Sequence, residues 1–352
     1  MVKLVVHIGH GKTGSSSIQE TLLHNTPILA RQGVKYLGMM LEYADVEGRL
    51  PWQRLDGSDA FFDGISASDA SEQLYDVLNR CISDLRRDGF SLAIWSNEWL
   101  ATRGAHVYPA LKKIKDSGTD IEIQCYVRRH DRWIQSAYIQ WGIKDKSYEG
   151  PIKTFEEWLE EFGERDISFA PTLHFWDDLF ASRLRVFNYD SAGDVVEHFL
   201  RSNGISGASL IKENVTPDQV LLAAQSVFNG RKRRRVSPIE FGPVSRFVTR
   251  ADENGAVLPP LDLLTPSVGS LQEIVASRRD DIEDVNRFLL RSGEPSLSFA
   301  SPPTQPAHPT PWEMDQWILK LVYSLAEETV QLRKQTDSLR AQLVALQDHK
   351  AI

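Results

Sequence analysis

Apolar positions cluster in four short runs, Lys3 to Ile8, Ser91 to Trp95, Ile121 to Val127 and Arg183 to Phe187. Their length and the polar residues bounding them fit strands better than helices. Three pass directly into amphipathic or capped helical stretches. Strand alternating with helix predicts an α/β fold of three layers, a central parallel sheet with helices on both faces. Ligands in such folds bind beyond the carboxyl ends of the strands, which makes the residues just after each run the ones to inspect. The pattern changes near the end of the chain. Glu294 to Pro311 carries six prolines among Ser, Thr and Ala and reads as a stiff linker. After it, Ile318, Leu325, Leu332, Leu339 and Leu346 recur every seven residues, with Val322, Thr329, Thr336 and Leu343 between them. That is a heptad seam, weakened by its threonines, and it points to a coiled coil that would join copies of the chain. The expected division is an α/β domain over 1–293, a linker over 294–311 and a C-terminal helix over 312–352.

Composition narrows the function classes. The chain has 352 residues, 41% hydrophobic and 25% charged, as an ordinary globular protein does. With 40 Lys+Arg against 48 Asp+Glu, the net charge of -8 gives no general attraction to nucleic acid or anionic membrane. Any anion site must be local. Cys81 and Cys125 are the only cysteines, too few for a disulfide framework or a thiolate metal site. The apolar run at the N-terminus stops at Gly9, short of a signal segment or a membrane span, and the expectation is a cytoplasmic protein.

The first run opens into Gly9-His10-Gly11-Lys12-Thr13-Gly14-Ser15-Ser16-Ser17, with a helical stretch expected from about Ile18. A strand, a glycine loop and a helix start present unpaired N–H groups and a favourable dipole to an anion. Lys12 adds a cation, and Thr13, Ser15, Ser16 and Ser17 add hydroxyls. The loop is P-loop-like without being a Walker A motif, since Val6 stands where the first glycine of that motif belongs. The third run delivers Arg128, and Ser136 follows on the next helix. A guanidinium and a hydroxyl so spaced suit a second phosphate. Arg129 and Arg132 are expected in solvated surface pairs.

These motifs together resemble the sulfotransferases that use 3′-phosphoadenosine-5′-phosphosulfate (PAPS), above all bacterial members of the carbohydrate-sulfotransferase type. Lys12-Thr13-Gly14-Ser15-Ser16-Ser17 is similar to the family's 5′-phosphosulfate loop, serines replacing its usual threonines. Arg128 and Ser136 resemble the Arg and Ser of its 3′-phosphate site, and Tyr189-Asp190 resembles a Tyr-Glu pair near the adenine. Gly33-Val34-Lys35-Tyr36 and Lys212-Glu213-Asn214-Val215-Thr216 extend the likeness to about residue 230. The resemblance implies PAPS as donor cosubstrate, no metal, and a small-molecule or carbohydrate acceptor. It implies Gly11, Lys12, Thr13, Gly14, Ser15, Ser16, Ser17, Arg128, Ser136 and Tyr189 as donor-binding residues, Lys12 also acting in catalysis.

Glu98, just after the second run, is the candidate base; His10 is the next choice, then His7 and Glu20. Arg231 to Arg235 offers further phosphate contacts or a solvated loop. Trp52, Phe61, Phe62 and Phe241 either line the acceptor pocket or pack beneath long loops. Two other functions stay open: an ATP-dependent phosphotransferase of P-loop-like architecture, and a non-catalytic protein that oligomerises through its tail.

Overall fold

The computed structural model describes residues 2–162, 168–211 and 265–299, with 222, 225–226, 229–230, 232–237 and 240 between them and 329, 331–340 and 342 in the tail. Contacts divide the chain into two units, one of Met1–Ile134, Arg165–Val215 and Leu271–Pro303, the other of Gln135–Glu164, Thr216–Ser270 and Thr304–Ile352.

The first unit holds the sheet. Its strands are β1 (Lys3–His7), β2 (Val34–Tyr36), β3 (Leu92–Ser96), β4 (Asp120–Val127) and β5 (Leu184–Asn188), in the order β2-β3-β1-β4-β5. Every pairing is parallel. The expected α/β architecture is present, and the four expected strands lie within a residue of their observed bounds. β2 was not expected. Its three residues are too few to show a period, and it survives at the sheet edge by pairing with β3.

The helices are α1 (Ser15–His24), α2 (Thr26–Arg31), α3 (Ser58–Gly64), α4 (Ala67–Arg87), α5 (Gly104–Asp116), α6 (His130–Ala137), α7 (Phe155–Phe162), α8 (Ala170–Phe180), α9 (Val195–Ser202), α10 (Val268–Ser277) and α11 (Arg279–Arg291). Side chains alternate across each strand, so each face of the sheet has its own core. Leu4, Val6, Ala93, Trp95, Ile123 and Cys125 pack with residues of α4, α5, α8 and α11. On the other face Val5, Ile94, Tyr126 and Phe187 pack with residues of α1 and α9. α4 shows why such a helix forms. Ser66 caps it by accepting from Asp69 N, and Ala70, Leu74, Val77, Leu78, Cys81, Ile82 and Leu85 bury one stripe. Each large aliphatic side chain so buried contributes about 1.5–3 kcal/mol.

Three aromatic expectations resolve here. Trp52, Phe61 and Phe62 lie in the core, the Trp52 ring tilted against Phe61 at a centroid distance of 4.5 Å and donating to Gln73 Oε1 at 2.7 Å; packing, not pocket lining, is their role. Phe241 lies outside the described residues, as does Lys212–Thr216. Cys81 and Cys125 are buried and unbridged, and burial pushes both thiols up to about 12.

Residues 294–299 stay with the first unit although prolines mark the linker as starting there. Asn188 Nδ2 donates to the Pro295 carbonyl at 2.8 Å, and Leu297 is buried, its N–H bonded to Asn286 Oδ1 at 2.7 Å. Linker residues 300–311 lie outside the described residues, and so do heptad positions Ile318, Val322, Leu325, Leu343 and Leu346. Of the tail, residues 331–340 are helical, with Leu332 and Leu339 exposed. No described helix is long and apolar enough to cross a membrane.

The second unit is built on a π-helical turn, Tyr138–Lys144, followed by α7. Tyr138 packs on Phe155 and Trp158, and Trp141 stacks on Phe162. Lys146 is fully buried, with its ammonium donating to the carbonyls of Gly150 and Lys232. Gly150 N–H bonds the Arg233 carbonyl at 2.8 Å, and Arg234 pairs with both oxygens of Glu240. Of the basic run, Arg231 lies outside the described residues.

Candidate active site

Three strands set the site. His7 of β1 lies in register with Ser96 of β3 on one side and Gln124 of β4 on the other, so the loops after β1, β3 and β4 leave from one edge. β1 is also where the chain's order reverses, since β2 and β3 lie on one side of it and β4 and β5 on the other. Doubly wound sheets bind ligands at this switch point.

The loop after β1 runs from Gly9 to Gly14, and α1 starts at Ser15, three residues before the expected Ile18. Lys12 sits at the loop's tip with φ 68°, a left-handed conformation that costs a side chain about 1–2 kcal/mol. The surroundings hold it there. Trp133 of α6 donates its indole N–H to the Gly11 carbonyl at 2.7 Å, and Thr13 Oγ1 donates to the His10 carbonyl. Thr13, Ser15 and Ser17 are buried, while Gly11, Lys12, Gly14 and Ser16 remain partly open. Ser15 Oγ has no hydrogen-bond partner, a buried hydroxyl at the first turn of a helix whose amides point out of the sheet edge.

Gly14 is fixed twice over. Its φ is 87°, and a methyl group added to it would stand 2.6 Å from Val195 Cγ1 and 3.2 Å from Tyr189 Cε2. Gly14→Ala is expected to cost about 1–3 kcal/mol, read as a lowered denaturation midpoint with m unchanged. A variant as stable as the parent would show that α9 yields freely.

Tyr189 adjoins both anion-suited regions. Its Cε2 lies 3.2 Å from where a β-carbon on Gly14 would stand, and the Arg128 guanidinium carbon is over its ring, 4.9 Å from the centroid. Arg128 Nε also reaches Asp190 Oδ1 at 3.4 Å. Asp190, singled out in the sequence only as the companion of Tyr189, has a structural part as well. It pairs with Arg132 at 3.1 Å and accepts from Arg129 N–H at 3.1 Å, and so holds the start of the Arg128–Arg132 segment. Arg129 itself is not a surface residue. It is buried against Asp131, with Nε and Nη2 on its two carboxylate oxygens at 2.7 and 2.8 Å. A charged letter in a polar run reads as solvated; only the fold reveals its partner. Ser136 lies near the end of α6 and belongs to the second unit.

Glu98 begins the short 3-10 helix Glu98–Ala101 after β3 and is half-buried. Gln19 of α1 donates to Glu98 Oε2 at 2.9 Å and to the Ser96 carbonyl at 3.2 Å, tying the carboxylate to the helix that carries the anion loop. His10 turns its ring onto Phe169 at 4.8 Å. Burial pushes it down to about 4, Asp281 opposing the shift and His130 adding to it. His130 Nε2 is bonded to Asp281 at 2.8 Å, and this carboxylate also accepts from Phe169 and Ala170 N–H. The cluster supports the loop from below; its members lie too far apart in sequence to form a motif. Among the described residues, no group of three or more His, Cys, Asp or Glu side chains is placed to hold a metal.

No family model matches the sequence, and no curated protein does. Among solved structures, a crystal structure of a sulfotransferase from Alicyclobacillus acidocaldarius matches 64% of this chain and 92% of its own, at 14% identity and a TM-score of 0.34. A likeness that slight carries neither the chemistry nor the site, which rest on the residues described above.

Proposed function

We propose that the protein is a sulfotransferase that moves a sulfuryl group from PAPS to an acceptor hydroxyl, with a carbohydrate as the acceptor class, and releases adenosine 3′,5′-bisphosphate. The observation that carries this reading is the pair of anion-suited regions, the Lys12–Ser17 loop and Arg128, adjoining one aromatic ring at the ends of neighbouring strands. A nucleotide with phosphates at both ends of its ribose asks for that arrangement. Two details of the loop support the reading: among the described residues, its chain neighbours aside, nothing lies within 4 Å of where a β-carbon on Gly11 would stand, and Ser15 keeps an unused hydroxyl.

The donor supplies an activated sulfuryl group on a phosphate leaving group. Lys12 and the first amides of α1 stand where charge grows on that phosphate as its bond to sulfur breaks, and fixed donors aimed at such charge lower the barrier most. Arg128 holds the 3′-phosphate and orients the donor. Glu98 takes the acceptor's proton as the new oxygen–sulfur bond forms, and Gln19 keeps the carboxylate turned toward the loop. His10, neutral at pH 7, is the alternative base.

Calorimetry with adenosine 3′,5′-bisphosphate, run beside ADP with magnesium chelated, tests the reading. Tight binding of the bisphosphate is expected, with ADP weaker, and Arg128→Ala should weaken it by roughly 10- to 100-fold, the worth of a charge-assisted bond of about 1.5–3 kcal/mol. Preference for ADP would favour phosphoryl transfer; binding of neither would leave a non-catalytic role.

A further inference from the structure

His7 closes β1 and is fully buried. Tyr126 and Phe199 hold its ring, at centroid distances of 5.9 and 5.4 Å. Nδ1 is hydrogen-bonded to Ser96 Oγ at 2.8 Å, and Nε2 has no partner. Ser15 Oγ, also buried, has none either. These two atoms stand against the same glycine: a methyl on Gly9 would lie 3.3 Å from His7 Nε2 and 2.5 Å from Ser15 Oγ. A buried polar atom left unbonded is costly, and two such atoms converging on one point mark a bond still to be made.

The direction of that bond follows from Ser96. Its hydroxyl is buried and, among the described residues, has His7 Nδ1 as its one hydrogen-bond partner. If Nδ1 carried the proton, the Ser96 hydroxyl hydrogen would have no acceptor. With the proton on Nε2, Ser96 O–H donates to Nδ1, and Nε2–H is the donor left beside Gly9, where Ser15 Oγ also lies. A hydroxyl that accepts from Nε2–H has its own proton left to donate toward the start of α1.

We propose that His7 is a positioning residue, a neutral imidazole that links Ser96 at the end of β3 to Ser15 at the start of α1 and orients the Ser15 hydroxyl as a donor to the anion bound there. The proposal rests on the donor-binding reading above and adds a residue to it. Through Ser96 it also couples the anion loop to the strand end that presents Glu98.

The test is a double-mutant cycle of His7→Leu and Ser15→Ala, read by calorimetry with adenosine 3′,5′-bisphosphate. Each single variant should bind roughly tenfold more weakly, the worth of one hydrogen bond to a charged group, and the double variant no more weakly than either. His7→Gln, whose amide accepts from Ser96 and donates to Ser15, should restore most of the affinity. A purely structural role would not give that rescue. Wild-type protein that fails to bind the bisphosphate overturns the donor reading and the relay together; wild-type binding with independent, multiplying effects, or with none, overturns the relay alone. If His7→Leu does not fold, nitrogen-15 spectra of histidine-labelled wild-type protein, assigned against His7→Gln, decide the matter. A proton on Nε2 supports the relay, and one on Nδ1 overturns it.

Discussion

Lys12→Ala is expected to lower sulfuryl transfer by about 10²- to 10³-fold while changing adenosine 3′,5′-bisphosphate binding only a few-fold, because a fixed donor aimed at the leaving group acts mainly in the transition state. The substitution is a fair test of charge. Lys12 has φ 68°, and alanine carries the same β-carbon into that strained conformation, so the backbone cost is nearly unchanged. The Trp133 bond to the Gly11 carbonyl does not involve the lysine side chain. Transfer of radiolabelled sulfate from PAPS to a panel of hydroxyl acceptors gives the turnover, and calorimetry gives the binding. Normal turnover in Lys12→Ala would remove the lysine from the chemistry and take the proposed mechanism with it.

Acid should destabilise the protein through His7. Burial pushes this imidazole down from 6.5 to about 4. The unfolded chain takes up a proton at His7 as pH falls through 6.5, whereas the folded chain does not until about pH 4. Unfolding therefore gains a proton across this window, and stability falls with falling pH. At about 1.4 kcal/mol per pKa unit the loss approaches about 3 kcal/mol by pH 4, with no contribution above about pH 7. His10 and His198 are pushed the same way by burial and steepen the curve. Urea unfolding of wild type and His7→Gln at pH 7.5, 6.0 and 5.0 separates His7 from the others, the variant being the less pH-sensitive. Parallel curves would show that His7 titrates alike in both states.

The sheet was legible because β1 and β3 are buried on both faces and spell apolar runs, while β4 and β5 keep apolar residues on either side of Glu122, Gln124 and Arg185. β2 was not: Val34-Lys35-Tyr36 is brief and carries a lysine, and its place depends on β3. The glycine loop after β1 could be picked out from Gly9 onward, since glycines, a cation and hydroxyls occur together in one stretch, although α1 begins at Ser15 rather than Ile18. What supports the loop could not. Trp133 reaches the Gly11 carbonyl from α6, and His10 rests on Phe169, whose N–H is held by Asp281 from near the end of the sheet unit. Nothing local marks such residues. Arg129 shows the limit most plainly, because the charge that suggested solvent is buried in a two-point pair with Asp131. Trp52, Phe61 and Phe62 show the converse, large aromatic side chains in an irregular stretch that serve the core.

The place of β1 at the middle of the sheet governs how the molecule can assemble. It precedes the sheet's other strands in the chain, yet both of its neighbours, pairing with Lys3 through Leu92 and Asp120, arrive much later, after α4 and α5. Parallel pairing over such separations must meet its loop-closure cost before any ladder bond forms, which makes folding slow. Until β3 and β4 dock, a Leu-Val-Val strand keeps two bare edges, the condition in which newly made chains are most prone to associate wrongly. The Gly9–Gly14 loop hangs from that same strand, so it precedes the rest of the candidate site in the chain and is among the last parts of it to take shape.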